Sequence, residues 1–186
     1  MKIWLSIIVA FSLLHSSCTN LVRTTEPIIK KPSDFDFGFV ATWQSTDSMD
    51  ETVMEIQKES GKESAYRLID ATEPEREFHF TAKKLSDDGK YALIQIKLRE
   101  FFSETPSYYY AYALRKGEKL YVWKIDSDKL IRKIKADKIN SVIDRGTWSV
   151  EIAAEPDDLR PLLIEHSGTL ASEHSMVYKI QTKNAR

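Results

Sequence analysis

The sequence predicts an α+β fold dominated by antiparallel β-structure: a curled meander or partial barrel of about seven to nine strands, with two short helices packed on it. Three observations point there. From Phe37 to Asp126 apolar and polar residues alternate with period two. Glycine-bearing turn signals at Gly61-Lys62, Asp87-Asp88-Gly89 and Gly117-Glu118 separate runs of hairpin length. Two capped amphipathic stretches follow Asp126. A chain of 186 residues, 42% hydrophobic and 30% charged, suffices for one domain with a real core, placed at residues 35–184.

The strands can be taken in order. "FVATWQS" (Phe39 to Ser45) opens, and "ETVMEIQKES" turns at Gly61 and returns as "SAYRLIDA". "REFHFTAKKL" turns at Asp87-Asp88-Gly89 into "YALIQIKLREF", where Ile94, Ile96 and Leu98 oppose Gln95, Lys97 and Arg99 and imply one wet face. "YYYAYALRK" turns at Gly117 into "KLYVWKID". These last two runs are apolar on both faces, so something must cover the outer side.

The cover is predicted downstream. "DSDKLIRKIKADKI" has Asp126 or Ser127 as N-cap and Leu130, Ile131 and Ile134 on one stripe. After the strand "TWSVEIA", the stretch "AEPDDLRPLLIEHSG" places Pro156 in a first turn, Asp157 and Asp158 near the positive helix end, and Gly168 as C-cap. Pro161 inside it should bend or shorten the helix. "SMVYKIQ" is the last strand.

The N-terminus is of another kind. Met1-Lys2 precedes "IWLSIIVAFSLL", an apolar run of about a dozen residues, which suits an export signal and is short of a membrane span. Ser16-Ser17 and then Cys18, the only cysteine, follow it. "LLHSSC" resembles the lipobox of bacterial lipoproteins, with His15 at the site three before the cysteine, where that family usually has Leu or Val. The resemblance implies a signal peptide over residues 1–17, removal of that segment, and lipidation of Cys18. Thr19, rather than Asp, follows the cysteine, which the resemblance reads as sorting to the outer membrane, facing the periplasm. Residues 18–34 are read as the acylated cysteine and a flexible tether.

Two resemblances bear on the domain. "ATWQS" after Phe37-Gly38 is weakly similar to the first strand of lipocalin-like (calycin) barrels, with Ala41 in place of the glycine in their Gly-x-Trp; it implies a ligand-holding barrel. The strand, helix, strand, helix, strand order from "KLYVWKID" to "SMVYKIQ" is similar to a family of small bacterial lipoproteins, a resemblance that brings no chemistry with it.

Candidate site residues are few. Trp43, Tyr110, Tyr112 and Trp123, with Tyr108 and Trp148 beside them, are candidates for lining an apolar ligand cavity, although such residues in a small closed sheet are more often plain core. Lys97, Arg99, Arg115 and Lys124 read as solvent-facing strand charges. Ser86, His79 and Asp88 lie near in sequence, but a hairpin offers no oxyanion hole. The acid-histidine pairs Glu165-His166 and Glu173-His174 point their members to different sides. No metal spacing or phosphate loop occurs, so no catalytic set, metal or cofactor is expected. With 27 basic and 28 acidic side chains, the chain has no field for nucleic acid.

These readings converge on a non-catalytic, membrane-anchored lipoprotein of the cell envelope. It would serve as a binding or accessory module for an apolar small molecule or an envelope protein. The alternative is a periplasmic immunity or inhibitor protein acting against a toxin or a lysozyme-like enzyme.

Overall fold

Alternation fixes which side chains face inward, and the sheet closes on that basis. In the computed structural model, residues 21–31, 36–47, 52–60, 65–71, 73–74, 77–86, 91–98, 105–146 and 149–181 are described. Among them the chain forms eleven strands and three helices. Strands β2 (Ala41–Ser45), β3 (Val53–Lys58), β4 (Ala65–Asp70), β5 (Glu77–Lys84), β6 (Tyr91–Leu98), β7 (Ser107–Lys116) and β8 (Lys119–Ile125) form a seven-strand antiparallel meander. The C-terminal strand β11 (Ala171–Ile180) then pairs with β2 on one side and β8 on the other. An eight-stranded barrel results, closed rather than partial, and closure leaves it no free edges.

Gly117, at φ +61, supplies the left-handed residue that the β7–β8 turn demands. The other two turn glycines, Gly61 and Gly89, lie outside the described residues, although the strands they were expected to join do pair antiparallel.

Two corrections concern the chain's beginning and its flank. Part of the stretch read as a flexible tether is structured: β1 (Leu21–Thr24) pairs parallel with β10 (Ser149–Ala154) and antiparallel with the first half of β7. Leu21, Val22, Ile28 and Ile29 are buried, so the ordered domain begins at least at Leu21 rather than at residue 35. The physical reason is burial: Val22, Ile28 and Ile29 enter one core, each contributing roughly 1.5–3 kcal/mol, and Leu21 is buried beside them in sequence. Strand β9 (Ser141–Arg145), for which no strand was expected, pairs with β10. Strands β1, β10 and β9 thus fork from β7 where β8 leaves it, since β8 pairs with β7 only from Ala111 onward.

Helices cover this fork. In α1 (Ser127–Ala136) the Asp126 carboxylate caps Lys129 N–H at 2.9 Å, and Leu130, Ile131 and Ile134 are buried. Helix α2 (Pro156–Glu165) contains Pro161 and ends at His166. Gly168 is therefore not its C-cap, because a third, one-turn helix α3 (Ser167–Leu170) follows, swinging Leu170 into the core while its carbonyl accepts Asp126 N–H at 2.8 Å. Two apolar clusters result, one inside the barrel and one between its outer wall and the helices.

Candidate functional site

The barrel interior is the concave apolar feature of the fold. Register places Met54 opposite Trp43, Leu68 opposite Ile56, and Phe80 between Tyr66 and Ile96, so these side chains share the inner face. On β7 the inward positions include Ala111 and Ala113, and on β8 Leu120 and Val122. Ala111 leaves room, and a cavity of about 80 Å³ remains, walled also by residues such as Met54, Leu68, Phe78, Ile96, Val122 and Met176. Its walls offer water almost no hydrogen-bond partner, and such cavities stay dry. Drug-sized ligands fill roughly 300–1,000 Å³, so this space suits only a slender apolar group.

One end of the lumen is plugged. Trp43 is fully buried and donates from Nε1 to the Phe39 carbonyl at 2.7 Å, while Arg115 lies 5.9 Å over its ring and donates to the Gly38 carbonyl. Gly38 has φ +62, a conformation that favours glycine, and a Cβ there would also push the Arg115 guanidinium aside. Phe37 and Phe39 stack at 5.3 Å beneath it, and Phe39 meets Tyr66. Burial raises the Tyr66 phenol pKa.

The inner face also carries charge. Asp70 pairs in register with Met54 and Lys124 with Ala111, which puts both on the lumen side, each 4% exposed. This corrects the reading of the basic residues as a solvent-facing set. Lys97 is exposed, but Arg115 covers Trp43 and Lys124 is buried; Arg99 lies outside the described residues.

The four predicted ligand-lining aromatics do not converge. Trp43 belongs to the inner cluster, at the plugged end, and is not among the cavity walls. Tyr110 and Tyr112 point outward under the helices, and Trp123, the register partner of Tyr112, packs against that same outer layer beside Tyr91. Tyr108 packs there also, and Trp148 and Cys18 lie outside the described residues. The outer tyrosines are tied down: Tyr112 donates to the Leu163 carbonyl at 2.9 Å, and Tyr110 contacts Thr24 Oγ1 at 2.7 Å and accepts Ile28 N–H at 3.3 Å. Burial pushes the Tyr110 phenol up to about 12, with the Thr24 and Ile28 hydrogen bonds opposing it, and raises Tyr112 further.

What sequence reasoning missed was the lining itself, Met54, Leu68, Val122 and Met176 above all. Period-two alternation was the available signal, and it had already put Phe78 and Phe80 on one face. His79 sits between Glu59 and Glu77 rather than beside Ser86, whose Oγ accepts Tyr91 N–H at 3.2 Å; Asp88 lies outside the described residues. Among the described residues no group of three His, Cys, Asp or Glu side chains suits a metal ion. No described helix is long and apolar enough to cross a membrane. Comparison with protein-family models, with curated proteins and with solved structures returns no match to this chain.

Proposed function

We propose that the protein is a lipid-anchored, non-catalytic binding module of the bacterial cell envelope. Its barrel receives a small apolar group, such as the last few carbons of an alkyl tail. The observation that carries this reading is the cavity of about 80 Å³ walled by apolar side chains. Met54 and Met176 give the walls their adaptability, because an unbranched thioether repacks around a guest more readily than a branched chain does. The Cys18 signal supports the anchor, and Thr19 after it supports the periplasmic face of the outer membrane. A diacyl or triacyl cysteine would hold the domain at the bilayer, since each buried methylene contributes about 0.8 kcal/mol.

The test is native mass spectrometry of the chain extracted from membranes in mild detergent, alongside thermal shift with a ladder of saturated fatty acids and alcohols. The expected result is a bound alkyl species, displaced by the best ligand of the ladder and absent from Ala111→Phe, which fills the lumen. No adduct and no thermal shift across the ladder would overturn the ligand reading. The anchor is tested separately by the mass of the N-terminal peptide, where a Cys18 without lipid would overturn it.

A further inference from the structure

A second concavity lies outside the barrel, where the segment after β1 crosses β5 and meets α2. Lys30, Lys31, Lys83 and Arg160 rim a groove of about 380 Å³, over Ile28, Ile29 and Ile164. Asp157 is the one carboxylate among its lining residues. It lies 2.7 Å from Arg160 Nη2 and 3.6 Å from Lys30 Nζ, and Arg160 Nε donates to the Ile28 carbonyl at 2.9 Å. Arg160 is thereby fixed in place, whereas Lys31 and Lys83 have no ion pair among the described residues. With four cations around one carboxylate the groove carries a local positive potential, although the formal net charge of the chain is -1, and that potential favours an anionic guest.

We propose that this groove seats the phosphate headgroup of an anionic membrane lipid and so sets which face of the domain meets the bilayer. The inference rests on the reading of the protein as a membrane-anchored module. Its occupant follows from two features. The rim offers cations for a phosphate while the floor is isoleucine, which matches a molecule with a charged head and a hydrocarbon body. The anchor point is also close: only Thr19 and Asn20 separate Cys18 from β1, a reach of roughly 11 Å fully extended. That distance is comparable to the ~8–10 Å over which an anionic surface is felt at physiological salt. A domain held so near a charged surface turns this cationic concavity towards it.

The test uses the full-length chain as Cys18→Ser, cosedimented with vesicles of pure phosphatidylcholine and with vesicles enriched in phosphatidylglycerol. The apolar N-terminal segment contributes to both, so the ratio between them reports on the groove. The expected result is a preference for phosphatidylglycerol that weakens with salt. It should fall about fivefold for each of Lys31→Gln and Lys83→Gln, and about 25-fold for the pair, with unchanged melting temperature. The charge-matched pair Lys116→Gln and Lys119→Gln, exposed at the β7–β8 turn, should leave it intact. Equal losses in both pairs, or no preference at all, would overturn the proposal. So would displacement by inorganic phosphate at constant ionic strength, which would make the groove a site for free phosphate. The anchor stands or falls independently, on whether the wild-type N-terminal peptide carries lipid.

Discussion

The two apolar clusters are built from the same kinds of side chain and behave as different materials. Inside the barrel, Met, Phe and aliphatic residues surround unfilled space. Under the helices, polar groups stitch the packing together. Gln95 receives Ile29 N–H at 2.8 Å and donates to its carbonyl at 3.3 Å, Tyr112 holds Leu163, and Tyr110 holds Thr24 and Ile28. The outer layer therefore fixes one arrangement of strands and helices, because each buried polar group must find its partner. The inner layer keeps slack, which a binding cavity needs and a structural core avoids.

Truncation should expose that difference most strongly. Leu130→Ala in α1, at a filled position 1% exposed, is expected to cost about 3–4 kcal/mol. Met54→Ala on the cavity wall should cost less, about 2 kcal/mol, because its side chain already borders empty space and forfeits fewer contacts. Urea unfolding of the two variants measures this. Equal losses would mean that the lumen is packed as tightly as the outer layer.

Alkaline pH should act next, through the outer tyrosines. An unfolded tyrosine loses its proton near 10, while Tyr110 in the folded protein keeps its own until about 12. The unfolded chain therefore binds fewer protons between those values, so stability is whole below pH 10 and falls as pH rises towards 12. For this one group the loss is about 2–3 kcal/mol. Tyr110→Phe is expected to flatten that part of the profile, at the cost of the Thr24 and Ile28 hydrogen bonds. A profile as steep as wild type would assign the loss to Tyr112, Tyr91 or Tyr66, whose phenols burial also raises.

Much of the barrel was legible because alternation is local. The seven-strand meander follows from "FHF", "ALIQI" and their turn signals, and the two-sided apolar strands β7 and β8 did require an outer layer. Closure was not legible, since it depends on β11 inserting between β2 and β8, a pairing that no short window contains. Strand β1 escaped for the same reason: "LVRT" alternates poorly, prolines follow it, and its partner β10 lies near the other end of the chain. The site was half legible. "YYYAYAL" is apolar at every position, so period two cannot say which set faces in; Ala111 and Ala113 do, because a small barrel needs small residues where its walls approach.

The hydrogen-bonded staple itself can be removed without creating much void. Gln95→Leu keeps the bulk of the side chain and strands the Ile29 N–H and carbonyl, for an expected loss of about 2 kcal/mol. Hydrogen exchange should show faster opening of residues 28–31 with the barrel strands unaffected. Exchange that quickens throughout the barrel would show that the two layers unfold as one unit.

The smallest effect on stability should carry the largest effect on binding. Ala111→Val adds two methyl groups at the cavity wall, where about 80 Å³ lies empty, so they cost little strain and gain dispersion contacts. Unfolding free energy should change by less than about 1 kcal/mol in either direction. Alkyl ligand uptake should weaken by about tenfold or more, since a slender chain in so small a space has no second route past the wall. The same substitution at Ala113, an inward position outside the cavity lining, serves as the control: it should destabilise by about 1–3 kcal/mol through overpacking. If both positions accept valine equally well, the slack is spread through the barrel instead of gathered at the cavity.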